Sequence, residues 1–197
     1  KLYKADLSFM GAAYHNRVQS FPRLLDMDFK IWGTGWELDS PLGKRVQNNN
    51  KRVTADETVS IYNAAKINLN LHSSLYHYGI NPDGDFVNPR TFEIASCRAF
   101  QLLDNRTDLS NFFKIDDELV VFNSLDELKD KISFYLANPD MRREIANRSY
   151  HRVLSEHTIG HRMQELLIHV FINRFDSLQK NEASRLDPLS YCIKRAG

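Results

Sequence analysis

Residues 67–105 carry the pattern that decides the fold. They read INLNL (67–71), a long loop through NPDGD (81–85), NPRTFEIAS (88–96) and AFQLL (99–103). The first and last of these runs are short and dense in apolar residues, as strands covered on both faces are. Between them Asn88-Pro89 marks a helix start, with a short helix expected from near Arg90 or Thr91. Strand, helix and strand in this order form one parallel crossover unit.

Working outward, the same alternation recurs. Asp6–Met10, Phe29–Trp32 and Glu118–Phe122 read as further strands, and Lys51–Thr54 as a weak sixth. A helix is expected from about Asn16 to Met27, kinked or started late by Pro22. Thr54-Ala55-Asp56-Glu57 and Ser124-Leu125-Asp126-Glu127 are capping boxes, in which the hydroxyl and the Glu three residues on serve free N–H groups. The first opens a helix to about Lys66. The second opens one with Leu125, Leu128, Ile132 and Leu136 on one face, stopped at Asn138-Pro139. Asn138 caps the next helix, and Met163, Leu166, Leu167, Val170 and Phe171 form the apolar stripe of a last one. The expected fold is α/β, a Rossmann-like doubly wound parallel sheet followed by C-terminal helices. Its domain is expected over residues 1–174, with 175–197 as a polar tail.

Composition narrows the function classes. The chain has 197 residues, 42% hydrophobic and 26% charged, so a packed core is available. A net charge of +1 gives no general electrostatic case for nucleic acid or an anionic membrane. No apolar run is long enough to span a bilayer. Two cysteines, Cys97 and Cys192, fit neither a disulfide scaffold nor a zinc finger, and a cytoplasmic setting is expected. The opening Lys1-Leu2-Tyr3-Lys4 carries no signal peptide and reads as part of something longer.

Ligands of such folds bind beyond the C-terminal strand ends, where helix starts point at them. After the first strand, Gly11 can let a phosphate approach the backbone, and Arg17 adds a fixed charge suited to a bidentate phosphate contact. Around Asn88, free N–H groups, the positive helix end and the Arg90 guanidinium together suit a diphosphate. Glu93, one turn on, can accept two hydrogen bonds from a ribose diol. The plainer account makes Arg90 and Glu93 a surface ion pair, Asn88 a simple cap, and Arg17 a solvated cation beside an ordinary turn.

Tyr62–Asn105, with FMGAAYHNR (9–17), IWGTGW (31–36) and VVFNSLDELKD (120–130), resembles the C-terminal, donor-binding domain of GT-B glycosyltransferases. The likeness is to the group-1 type found in CgeB-like spore-maturation proteins and covers most of residues 5–170. It implies a nucleoside diphosphate sugar as substrate, no cofactor and no metal. An N-terminal acceptor domain would then lie outside this chain. The family often carries two acidic residues eight apart, matched here by Asp85 and Glu93. The resemblance puts Asp85 near the donor sugar and Glu93 on the ribose. It puts Asn88 to Thr91 at the diphosphate, Gly11 below the phosphates, and His72 at a strand end facing the donor. Where such sequences often read Cys-Gly, this one reads Cys97-Arg98, which places a side chain at a left-handed helix end.

Other readings are available for the same residues. Asp83-Gly84-Asp85 is a D-x-D triplet able to contact a divalent cation, and also a plain turn signal. Asn81, Asp83 and Asp85 hint at a calcium loop whose twelfth position is Phe92, which cannot ligate. His157, His161 and Glu165 share a helix face without a complete zinc pattern. Trp36 and Tyr14 could stack on a base, whereas Trp32 reads as core. The expectation is a glycosyltransferase fragment in which Arg17 and Arg90 stabilise the departing diphosphate and Asp85 orients the sugar. The alternative is a non-catalytic nucleotide-binding or assembly module of spore-coat type that keeps the half-fold.

Overall fold

The structure, a computed structural model, describes residues 2–81 and 83–185, with side chains described as far as residue 174. Five strands make one sheet: β1 (Ala5–Met10), β2 (Phe29–Trp32), β3 (Ala65–Asn70), β4 (Gln101–Asp104) and β5 (Val120–Phe122). All pairings are parallel, in the order β2-β1-β3-β4-β5. The chain reverses direction across the sheet between β1 and β3, and the crevice at that switch point is where doubly wound folds bind ligands. The fold is the expected Rossmann-like α/β class.

Among the described residues the α-helices are α1 (His15–Ser20), α2 (Ala55–Ala64), α3 (Pro89–Ser96), α4 (Leu125–Ala137) and α5 (Pro139–Glu156), with α6 (Ile159–Arg185) after them in the chain. α1 stops at Ser20, and Phe21–Leu24 continues as a 3₁₀ turn containing Pro22, whose ring blocks a further α turn. α2 opens on the complete capping box of Thr54 and Glu57. At α4, Ser124 caps the N–H of Glu127, but the expected box stays half-formed, because Glu127 Oε2 accepts from Asn123 N–H at 2.6 Å and not from the Ser124 amide. The weak strand expected at Lys51–Thr54 does not form; this stretch is irregular and leads into the Thr54 cap. α3 ends with Arg98 at φ 54°, with Arg98 N–H donating to Ala95 O and Ala99 N–H to Ile94 O. That is a Schellman ending with arginine at the position glycine usually takes, and it delays β4 to Gln101.

The strands bury different chemistry on their two faces. Leu7, Phe9, Ile31, Ile67, Leu69, Leu71, Leu102 and Val120 point to one side, where Phe21, Leu24, Leu128, Ile132 and Ile145 cover them. The other side carries Ser8, Asn68, Asn70 and Gln101, all buried. These are satisfied within the layer: Ser8 Oγ donates to Asn68 Oδ1 at 2.6 Å, and Gln101 Nε2 donates to Thr91 O at 2.8 Å. Buried amides need such partners, each mismatch costing about 1–3 kcal/mol.

The chain divides into two compact units, 1–155 and 156–197. The boundary expected at residue 174 falls inside α6, which runs on to Arg185. Residues 175–185 contain neither proline nor glycine, so nothing in them breaks the helix. The remainder of the expected tail lies outside the described residues. No helix among the described residues is long and apolar enough to cross a membrane.

Candidate functional site

The loop after β1 and the residues after β3 meet at the switch point through Arg17. Its Nε and Nη2 donate to Leu71 O at 3.0 and 2.9 Å, and Nη1 donates to Ala12 O at 3.0 Å. The guanidinium lies over the Phe9 ring at 5.0 Å and the Tyr14 ring at 5.2 Å. Arg17 is 4% exposed, and no carboxylate pairs with it among the described residues. Burial, reinforced by the neighbouring Arg90 charge, pushes its pKa down to about 10. An anion placed between the two arginines would relieve both effects. Gly11 makes room for this: a Cβ there would lie 2.9 Å from the Phe9 ring and 3.2 Å from Arg17 Nη1.

Asn16 on α1 fixes the entry to the next loop. Its Nδ2 donates to His72 O at 2.7 Å and Gly79 O at 3.1 Å, and its Oδ1 accepts from Ser74 N–H at 2.9 Å. His72 is held in turn by Asp104 at the end of β4. Asp104 Oδ1 accepts from the His72 amide at 2.8 Å and lies 2.7 Å from His72 Nδ1. His72 Nε2 accepts from Asn88 N–H at 3.0 Å, so Nδ1 carries the proton. Arg106 Nη2 pairs with the second oxygen, Asp104 Oδ2. Burial opposes ionisation of Asp104, but the His72 and Arg106 contacts prevail and hold its pKa below the usual value. Arg106 passes so close to Gly84 that a Cβ there would collide with its guanidinium.

Asn88 caps α3, accepting from Thr91 N–H at 3.1 Å, and its Nδ2 donates to Asn70 Oδ1 at 2.9 Å. Pro89 has no N–H, which leaves the Arg90 amide as the uncapped donor of the first turn. The Arg90 guanidinium has no carboxylate partner among the described residues. Its buried Nε and the buried Tyr62 hydroxyl both lack a hydrogen bond. These elements enclose a cavity of about 440 Å³ at the C-terminal ends of β1 and β3, lined by Arg17, His72, Asp85, Asn88, Arg90 and Arg106 among others. Across Ala12, a second cavity of about 240 Å³ lies against Gly11, Gly33, Thr34, Val53 and Thr58.

Residues 15–168 match the profile of a family described as glycosyl transferase-like. The chain belongs to that family. It is 30% identical over 159 residues to the spore protein CgeB of Bacillus subtilis (strain 168), an alignment covering 75% of this chain and 48% of the relative. This chain therefore spans about half the length of the curated relative it matches. Among solved structures it is similar to the sucrose-phosphate synthase of Thermosynechococcus elongatus, with TM-score 0.60 and 14% identity over 85% of this chain and 46% of the other. It is also similar to the C-terminal domain of a group 1 family glycosyl transferase (LpcC) from Francisella tularensis, with TM-score 0.56 and 14% identity over 78% and 86%. A third likeness, TM-score 0.62 and 16% identity over 86% and 42%, is to the N-terminal domain of a Candida albicans trehalose-6-phosphate phosphatase. The fold is that of one Rossmann-like half of the GT-B glycosyltransferases.

Within this glycosyl transferase-like domain, the expected site residues separate into three groups. Arg17, His72, Asp85, Asn88 and Arg90 line the larger cavity. Gly11 lines the second cavity, with its N–H donating to Trp32 O at 2.8 Å and its carbonyl accepting from Trp36 Nε1 at 3.0 Å. Thr91 is fully buried in the Asn70–Asn88 amide network and lies outside the cavity lining. Glu93 is exposed on α3, also outside that lining. Asp85 Oδ1 accepts from Phe86 N–H at 2.6 Å in an exposed turn. Trp36 is buried against Phe21, so its ring is core. Among the described residues, no group of three or more His, Cys, Asp or Glu is arranged to hold a metal ion.

Asp104 and Arg106 join the site without having been expected from the sequence. The signal was present: an aspartate and an arginine directly after the apolar run of a buried strand, at the sheet end where ligands bind.

Proposed function

We propose that this chain is the donor-binding half of a GT-B glycosyltransferase, holding a nucleoside diphosphate sugar for transfer of the sugar to an acceptor hydroxyl. The observation that carries the reading is the pair Arg17 and Arg90. Both line one cavity at the switch point, and neither has a carboxylate partner among the described residues. Two fixed cations so placed match a diphosphate.

In this reading the diphosphate lies between Arg17 and Arg90, and the base enters the second cavity across Ala12. Glu93 holds the ribose, and Asp85 orients the sugar. As the acceptor oxygen attacks the anomeric carbon, the bond to the diphosphate oxygen breaks and negative charge grows on the leaving group. The two guanidiniums and the start of α3 face that charge, a preorganised stabilisation that needs neither a metal nor a resident cofactor. His72, Asn88 and Thr91 act by fixing the cavity wall. The acceptor and the general base would come from the remainder of the full-length protein.

A second reading, a non-catalytic nucleotide-binding or assembly module, is favoured by the relative being a spore protein. Calorimetric titration with UDP, GDP, ADP and TDP, with and without Mg²⁺, tests the donor reading. Saturable, metal-independent binding of one of them supports it, and heat-silent titrations with all four oppose it. Sugar turnover by the full-length protein then separates the enzyme from the module.

A further inference from the structure

The opposite end of the sheet carries a cavity that the donor reading does not use. It has a volume of about 290 Å³ and lies between the end of α2, the start of β3, the α3–β4 turn and the start of α5. Its walls are partly apolar, formed by Ala64, Ala99, Phe100, Pro139 and Ala146. Four cationic residues also line it, Lys66, Arg98, Arg142 and Arg143, and no acidic residue does.

Two of these cations are balanced. Lys66 pairs with Asp6 at 2.7 Å, and Arg143 pairs with Asp140. The other two have no carboxylate partner among the described residues. Arg142 Nη1 donates to the carbonyls of Tyr135 and Leu136, the latter at 3.2 Å. Burial holds its pKa below the ordinary arginine value, against the opposing pull of the Asp6 charge. Arg98 lies over the Tyr150 ring at 4.5 Å. Its backbone is at φ 54°, where glycine would be unstrained. Arg98 therefore lines the cavity at a position where the backbone prefers glycine.

We propose that this cavity is a second binding site, for a small organic phosphate whose phosphoryl group is held by Arg98 and Arg142 and whose apolar part rests on Ala99, Phe100 and Ala146. Fixed guanidinium groups match phosphate oxygens in a fork geometry. The apolar wall discriminates such a ligand from inorganic phosphate. The site lies at the N-terminal end of β3, whereas the diphosphate cavity lies at the C-terminal strand ends.

Phenyl phosphate is the probe, followed on the ¹⁵N-labelled chain by amide shifts. Saturable shifts at Ala64, Ala65, Arg98, Ala99 and Ala146 are expected. Arg98→Gly places a favoured residue at the left-handed position, so the chain keeps its fold. It should weaken this binding by about tenfold or more, the loss of one charge-assisted contact. Arg90→Gln should leave these shifts unchanged. The proposal is overturned if the shifts do not saturate, if they fall only around Arg17 and Arg90, or if Arg98→Gly leaves the affinity intact. Equal affinity for inorganic phosphate would also overturn it, because the apolar wall would then contribute nothing.

Discussion

The Arg17 guanidinium grips the Leu71 carbonyl with two donors, Nε at 3.0 Å and Nη2 at 2.9 Å. This contact joins the loop after β1 to the residue after β3 at the point where the sheet order reverses. The same side chain thus closes the crevice and presents its charge there. Arg17→Lys keeps the charge but cannot reproduce the fork. It should destabilise the domain by about 2 kcal/mol, since buried carbonyls lose donors. A thermal melt should show a fall of roughly 4–8 °C for a domain of this size.

Arg90 tests the ligand without the scaffold. It is partly exposed and gives no ion pair to the fold among the described residues. Arg90→Gln removes a half-buried guanidinium from over the Phe9 ring and should cost only about 1 kcal/mol, a fall of roughly 2–4 °C in the melting temperature. Affinity for a nucleoside diphosphate should fall roughly 10- to 100-fold, the loss of a charge-assisted contact. Calorimetry on the two proteins side by side checks this.

Glu93 distinguishes the ribose from the phosphates. Glu93→Ala should weaken a nucleoside diphosphate about tenfold, one hydrogen-bonded diol contact, and leave inorganic pyrophosphate binding unchanged. Equal loss for both ligands, or for neither, would remove Glu93 from the ribose.

Asp104 makes the site acid-sensitive. Its pKa is lowered in the folded chain, so the unfolded chain binds more protons between the folded value and about 3.9. Its contribution to stability is present above the unfolded pKa and is lost as pH falls through the folded one. Urea melts between pH 5 and pH 2 should show that loss, and Asp104→Asn should flatten it. The same variant leaves the buried Arg106 charge unpaired and should lose about 3 kcal/mol at neutral pH.

Most of the architecture was legible because local rules agreed with the tertiary structure. The capping residues Thr54 and Ser124 mark helix starts, and the apolar strands have one place to go in a covered sheet. The strand expected at Lys51–Thr54 failed because β-propensity is weak beside an adjacent helix cap. The cavity was half legible. Arg17, Asn88 and Arg90 could be placed there from their positions at helix starts after the strands, and Asp85 and His72 from the family resemblance. Thr91 could not be told from a surface residue, because its burial depends on Asn70 and Gln101 arriving from other strands. Asp104 and Arg106 went unseen for a related reason. Their partner His72 is 32 residues from Asp104 in the chain, a pairing that only the sheet order reveals.

The cavity between the β1 loop and α3 is proposed to take a nucleoside diphosphate. Amide-shift mapping of the ¹⁵N-labelled chain with the tightest-binding nucleoside diphosphate tests it most directly. Saturable shifts are expected at Ala12 to Arg17, Ser73, Asn88, Arg90 and Thr91, with the affinity they report falling roughly 10- to 100-fold in Arg90→Gln. Saturable shifts elsewhere on the sheet, or a spectrum unchanged at high ligand concentration, would contradict it.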